Sequence, residues 1–233
     1  MVQIIRYPQD GVELVGELYG VASSPQPGLL LIHGGAGLDE HAREQAQRFA
    51  SEGYAVLAAD MYGEDVRGDR SKLMGLLATF RDDHHSLASR AQAGLTVLTE
   101  HPAVSEVVAA IGYCFGGMAA LSLARAGVAL AGTVSIHGSL ATPTPAAAGS
   151  IAAKVLVCHG SADPHIPLSD VTAFAEEMDG AQAEWQLNLY GNAQHGFTHR
   201  HATPGDTPGV AYQPAADEQS FDDVLRFLTT LKN

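Results

Sequence analysis

The segment Val107-Val108-Ala109-Ala110-Ile111-Gly112-Tyr113-Cys114-Phe115-Gly116-Gly117-Met118-Ala119-Ala120 constrains this chain more than any other. Its short apolar, β-branched run predicts a buried strand, and the small residues at its end carry a helical pattern. Between the two stands Gly-x-Cys-x-Gly-Gly, the spacing expected where a strand turns sharply into a helix and holds one side chain out at the turn. A residue in such a turn takes a positive φ, so strand and helix collide unless the flanking positions are nearly free of side chains. Gly112, Gly116 and Gly117 meet that demand, and Cys114 is the projected residue. A helix starting near Phe115 aims its N-terminal amides at the turn, where they favour a thiolate or a developing oxyanion. A glycine-rich turn after a strand also suits a phosphate, so the segment gains chemical meaning only through its partners.

Strands and helices alternate along most of the chain. Residues 2–7 and 12–19 alternate in polarity around Gln9-Asp10-Gly11 and predict an antiparallel hairpin. The stretch 21–28 reads as a loop, and apolar strands are expected over 28–33, 54–59, 107–111, 130–136, 154–158 and 184–190. Helical spacing marks 39–50, 115–126, 168–178 and 216–231, with one or two helices between 69 and 100. Residues 137–150, rich in Ala, Pro, Thr and Gly, read as a loop over the strand ends. Parallel neighbours need crossover connections, so this order implies an α/β fold with a mostly parallel sheet and helices on both faces. The chain shows no internal repeat and no long linker, so the 233 residues are expected to form one domain, 1–233.

Charge narrows the partners. With 26 acidic against 13 basic residues the formal charge is −13, which argues against nucleic acid and against an anionic membrane surface. No run approaches the ~18 apolar residues of a membrane span. The first 19 residues lack a basic start followed by an apolar core. The two cysteines, Cys114 and Cys158, are too few for a disulfide framework, so a cytoplasmic protein with reduced thiols is expected. Cys158, inside an apolar strand, reads as structural.

Sites on such sheets lie at the carboxyl ends of the strands. His33-Gly34-Gly35-Ala36-Gly37 follows the first apolar strand, and Cys114 follows 107–111. His159-Gly160-Ser161-Ala162-Asp163-Pro164 follows 154–158, and Gly191-Asn192-Ala193-Gln194-His195-Gly196-Phe197 follows 184–190. Nucleophile, acid and histidine thus occur in the chain order of triads on α/β-hydrolase sheets. In that reading Cys114 attacks as a thiolate, His195 takes its proton and later activates water, and Asp163 orients His195. The backbone N–H groups of Phe115 and Gly35 would hold the oxyanion. Plainer readings compete: Cys114 as a small buried apolar residue, Asp163 as a turn residue beside Pro164, and His195, His199 and His201 as metal ligands. The histidines lack an H-E-x-x-H pattern and an acid in ligand register, so no metal is expected. His33, His137 and His159 also follow strands and read first as hydrogen-bonded loop histidines, with pocket lining as the alternative.

These residues, in this order, resemble the dienelactone hydrolase family of the α/β-hydrolase superfamily. The resemblance rests on the cysteine in Gly112-Tyr113-Cys114-Phe115-Gly116-Gly117, on the His-Gly-x-x-Asp-Pro around Asp163, and on His195-Gly196-Phe197-Thr198. Asp60-Met61-Tyr62-Gly63 also resembles the family's segment after its next strand, and the likeness covers nearly the whole chain. It implies an α/β-hydrolase fold and hydrolysis of small-molecule esters or lactones by a Cys-His-Asp triad, with no cofactor. His33, Gly34, Tyr62, His137, Phe197 and His199 are the substrate-pocket candidates. The founding type of enzyme has a glutamate in the loop after the early strand and arginines for its substrate's carboxylate. Here Gly34-Gly35-Ala36-Gly37 holds no acid before Asp39, and His199 stands about where an arginine would be. Arg67, Arg70 and Arg81 are the remaining candidates for contact with an anionic substrate. These departures predict an open, promiscuous esterase with side activity on activated phosphotriesters. A thioesterase or peptidase would use the same triad, but no basic patch for a carrier is present. A non-catalytic small-molecule binding module is the reading from another class, and the complete triad weighs against it.

Overall fold

The computed structural model describes residues 2–66, 68–202 and 205–232. The hairpin pairs β1 (Gln3–Gln9) with β2 (Val12–Tyr19). Its two-residue turn, Asp10-Gly11, has φ of 49° and 76°, the left-handed pair that matches the twist of the strands it joins. The chain continues through β3 (Gln26–Ile32), α1 (Glu40–Ser51), β4 (Ala55–Ala59), α2 (Arg70–Asp82), α3 (His84–Thr99) and β5 (Val104–Tyr113). It ends with α4 (Phe115–Arg125), β6 (Gly132–Ile136), β7 (Lys154–Gly160), α5 (Leu168–Gly180), β8 (Trp185–Tyr190) and α6 (Pro214–Thr229). The eight strands form one sheet in the order β1-β2-β4-β3-β5-β6-β7-β8. The hairpin joins antiparallel through β2 and β4, and every later pairing is parallel.

Period-2 geometry explains the continuous apolar strands. In β3, Leu29 and Leu31 pack into the layer formed by Ala42, Ala46 and Phe49 of α1 and Val224 and Leu228 of α6. Leu30 and Ile32, between them, pack into the opposite layer with Leu87, Ala91, Leu95 and Leu98 of α3 and Met118, Ala119 and Leu123 of α4. The outward face of α4 meets α5 through Leu121, Ala124, Phe174 and Met178. Helices therefore cover both faces of an α/β-hydrolase sheet. No helix among the described residues is long and apolar enough to cross a membrane.

Element boundaries depart from the sequence reading where polar residues sit in a ladder. β5 begins at Val104 because Ser105 and Glu106 belong to the strand although they face outward, so an apolar run is a poor guide to its length. β3 begins at Gln26, whose N–H bonds the carbonyl of Ala103 at 3.0 Å. Between residues 69 and 100 there are two helices. Asp83 ends the first and caps the second by accepting from the Ser86 N–H at 3.0 Å.

At the β5–α4 turn the backbones are too close for any Cβ. One on Gly112 would overlap the carbonyl oxygen of Gly116, and one on Gly116 would overlap that of Ile32. Gly75, on the exposed side of α2, has open space around it. Gly112→Ala is therefore expected to lose more than ~3 kcal/mol, roughly 6–12 °C in Tm for a chain of this size, while Gly75→Ala gains ~0.5–1 kcal/mol. Thermal and denaturant unfolding of the two variants beside the parent checks both signs.

Candidate active site

Cys114 stands between β5 and α4 with φ 53° and ψ −114°, a strained conformation for a residue with a side chain. The strain is held from both sides: the Cys114 N–H donates to the Ile136 carbonyl of β6 at 3.0 Å, and the Cys114 carbonyl accepts from the Gly117 N–H at 3.0 Å. Asp163 lies in the turn after β7, and its carboxylate divides its work. Oδ1 accepts the N–H groups of His165 and Ile166, at 2.8 and 3.2 Å, which closes the turn. Oδ2 faces His195 Nδ1 at 2.8 Å. The carboxylate thus closes the turn with one oxygen and faces the imidazole with the other. His195 follows β8, and its main chain is tied to the 209–211 segment through the Gly209 carbonyl and the Ala211 N–H, each at 3.1 Å. Its Nε2 lies 3.1 Å from Cys114 Sγ.

The electrostatics of the three groups interlock. Burial pushes the Cys114 thiol up, but the hydrogen bond and charge of His195 and the backbone amides of Phe115 and Gly35 bring it below the ordinary thiol value. Burial alone would lower His195; its bonds to Asp163 and Cys114 outweigh that and raise it to about 10. Burial would raise Asp163, yet His195 and the His165 amide hold it below the usual carboxylate value. The arrangement favours a thiolate–imidazolium pair over two neutral groups. The amides of Phe115 and Gly35, named from the sequence as oxyanion donors, both reach Cys114.

A cavity of about 130 Å³ opens at Cys114. Gly34, Gly35, His137 and His199 line it, as expected, together with Ala36, Asp39, His41, Tyr113 and Val210, which the sequence did not mark. His199 Nε2 lies 3.5 Å from Asp39 Oδ2, and its ring stacks on His41 at 4.5 Å and 11°. His41 Nε2 and His137 Nε2 both meet the hydroxyl of Thr198, at 3.0 and 2.9 Å. Asp39 escaped notice because it reads as a helix start, and it is one: its Oδ1 accepts the Ala42 N–H at 2.9 Å. The signal available was an acid and a histidine one turn past the glycine loop.

Three pocket candidates lie behind the wall rather than in it. His33 is wholly buried; its Nδ1–H donates to the Gly34 carbonyl at 2.7 Å, and its Nε2 accepts the Met61 N–H at 3.2 Å. Carbonyl and following amide share one rigid peptide plane, so this bond sets the direction of the Gly35 N–H. The Tyr62 hydroxyl donates to the Gly35 carbonyl at 3.2 Å and fixes the next plane. Phe197 is wholly buried against His137 and Tyr190, with ring centroids at 5.1 and 5.4 Å. His159, expected in the loop after the strand, lies within β7, which runs on to Gly160, and its Nε2–H donates to the Ile166 carbonyl at 3.1 Å.

The histidine cluster divides among three acids: His195 to Asp163, His199 to Asp39, and His201 to Glu44 at 2.9 Å. Among the described residues, the ligand atoms that lie within 4.8 Å of one another belong to Glu40, Glu44 and His201, at the surface, and not to the three histidines. Arg70 and Arg81 are exposed on α2 and do not line the cavity; Arg67 lies outside the described residues. Cys158 is a free thiol, wholly buried, and burial pushes it up to about 12. A separate concavity of about 860 Å³ between β8 and α6 is an open groove with none of these groups.

The sequence profile of the dienelactone hydrolase family matches residues 14–232. Among solved structures, the protein m3DLH superposes with a TM-score of 0.92 at 35% identity, over 99% of this chain and 98% of that one. A dienelactone hydrolase-like promiscuous phosphotriesterase from metagenomic libraries superposes at 0.93, also at 35% identity and over the same shares. A putative carboxymethylenebutenolidase of Synechocystis is 25% identical over 209 residues, 83% of this chain and 85% of its own. On its matched length and its fold, the chain belongs to the dienelactone hydrolase family and is an enzyme that hydrolyses lactone or ester bonds.

Proposed function

We propose that this hydrolase cleaves small carboxylic esters and lactones with Cys114 as nucleophile, His195 as acid and base, and Asp163 as its orienter. The observation that carries the reading is the continuous line from Cys114 Sγ through His195 to Asp163, at 3.1 and 2.8 Å. The thiolate adds to the carbonyl carbon, and the oxyanion that forms accepts from the N–H groups of Phe115 and Gly35. Collapse expels the alcohol, which takes the proton held on His195 Nε2, and leaves a thioester on Cys114. His195 then removes a proton from water as its oxygen adds to the thioester; collapse releases the carboxylic acid and restores the ion pair.

Breadth of substrate follows from the wall. Gly34, Gly35 and Ala36 present little side chain, and among the described residues neither lysine nor arginine lines the cavity to select a carboxylate. A thiolate beside two amide donors also suits attack at phosphorus, which supports a side activity on activated phosphotriesters. The continuous sheet supports reading residues 1–233 as one domain, and the free thiols support a reducing, cytoplasmic setting.

Cys114→Ala is expected to lower kcat/KM for a short-chain p-nitrophenyl ester at least ~1000-fold, in the range of triad nucleophile knockouts. Undiminished activity of the purified variant, with chelator present, would mean that the elbow residue is not the nucleophile. Thiolate absorbance should persist below the ordinary thiol value near ~8.5 and fade only as pH drops through the depressed value of the pair. His195→Gln removes the neighbouring cation and should move that midpoint upward; an unmoved midpoint rules out the ion pair. In kcat/KM the rising limb tracks the thiol, and activity falls again as His195 loses its proton near pH 10. Neutral aryl esters should be turned over at least ~10-fold better than a carboxylate-bearing lactone, because no lysine or arginine among the described residues lines the cavity to offset the carboxylate. An aryl phosphotriester should show turnover that disappears in Cys114→Ala.

A further inference from the structure

The cavity contains a second ionisable group, and among the described residues no lysine or arginine lines the space beside it. Asp39 lines the same 130 Å³ space as Cys114. Its Oδ1 is engaged by the Ala42 N–H at 2.9 Å, and its Oδ2 is turned toward His199 at 3.5 Å. Burial works against its ionisation, but the His199 hydrogen bond and the Ala42 amide hold the carboxyl below its usual value, so it is a carboxylate at working pH. Arg43 of α1 feels the charge of Asp39, but its guanidinium is bonded to Glu17 at 2.8–3.1 Å and does not line the cavity. Burial and the neighbouring His199 bring His41 down to about 4, and burial with His195 and His41 nearby brings His137 well below the ordinary imidazole value, so both are neutral. The imidazolium of His195 is already matched by the Cys114 thiolate and by Asp163.

We propose that Asp39 is the charge-selecting residue of this site, favouring esters whose acyl group carries an ammonium centre and disfavouring anionic ones. The proposal rests on the reading of Cys114 as nucleophile, since it is the acyl group of the thioester that shares the cavity with Asp39. A unit charge a few ångströms from a carboxylate in a partly buried site changes binding by an amount that corresponds to ~10- to 100-fold. The positive end of α1 lies beside Asp39 and partly offsets it. Removing the carboxylate charge while retaining the cap therefore converts the same wall from one that repels an anion to one that receives it.

Asp39→Asn makes that change, because asparagine caps a helix as well as aspartate does. The measurement is kcat/KM at pH 8.5, where an ordinary imidazole near ~6.5 is neutral, for three p-nitrophenyl esters of similar acyl length. These are the neutral pentanoate, the anionic monoglutarate and the cationic 4-(trimethylammonio)butanoate, each corrected for spontaneous hydrolysis. The parent is expected to prefer cation over neutral over anion. In Asp39→Asn the anion-to-neutral ratio should rise ~10-fold or more and the cation-to-neutral ratio should fall by a similar factor. Ratios within about twofold of the parent would overturn the proposal. If the variant does not fold, the parent decides alone: inhibition of pentanoate turnover should be stronger for tetramethylammonium than for acetate, and the reverse order refutes Asp39 as the selector. Cys114→Ala run alongside separates the two failures. Persisting turnover there removes the nucleophile reading, whereas lost turnover with unmoved charge ratios removes only the role of Asp39.

Discussion

The structure depends on one close approach. At the end of β5 the backbone of Gly112 passes so near to Gly116, and that of Gly116 so near to Ile32 of β3, that no side chain fits at either position. This contact locks strand, turn and helix into one rigid unit and forces Cys114 into its positive φ. A residue in that conformation cannot fold its side chain into the core, so the thiol projects from the carboxyl edge of the sheet. The same contact places the first amides of α4 beside the sulfur. The position of the thiol and the amides that face it are therefore two consequences of one packing constraint.

The two cysteines show what that position contributes. Cys158 lies two strands further along the sheet, in β7 beyond β6, yet its side chain points into the core. Burial dominates there and drives the thiol up to about 12, although the Tyr190 hydroxyl donates to it at 3.4 Å. Cys114 is also largely enclosed, but an imidazole and two amides face it, and the balance reverses. Reactivity is thus decided by which dipoles and charges surround the sulfur, not by burial.

Around the reactive edge stands a layer of histidines, of which His41 and His137 line the cavity and His33 lies behind it. His33 and Tyr62 hold two successive carbonyls of the glycine loop, and Thr198 joins His41 to His137. Glycines leave a loop free to wander; these bonds restrain its planes and keep the Gly35 amide turned to Cys114. The loop stays nearly free of side chains on the cavity side and is braced from the rear, which reconciles an open wall with ordered donors.

Much of this was legible in the residues. The β5–α4 turn, the placing of Cys114, Asp163 and His195 after the strands β5, β7 and β8, and the hairpin turn are local matters, set by spacing, by glycine and by the period of the apolar runs. Each triad member sits within a few residues of a strand end, and a parallel sheet brings strand ends together whatever the details of packing. Which histidine lines the cavity and which supports it was not legible. His33 and His137 have the same sequence context, yet one lies behind the glycine loop and the other in the wall, because side-chain direction past a strand end depends on what packs above it. Asp39 and His41 were hidden for the same reason: a helix cap and an inward helical residue look alike whether they face core or cavity. The sequence by itself determined the fold and the reactive edge through backbone sterics and periodicity. Only the tertiary structure, by setting distances between segments far apart in the chain, decided the charge and shape of the space that edge encloses.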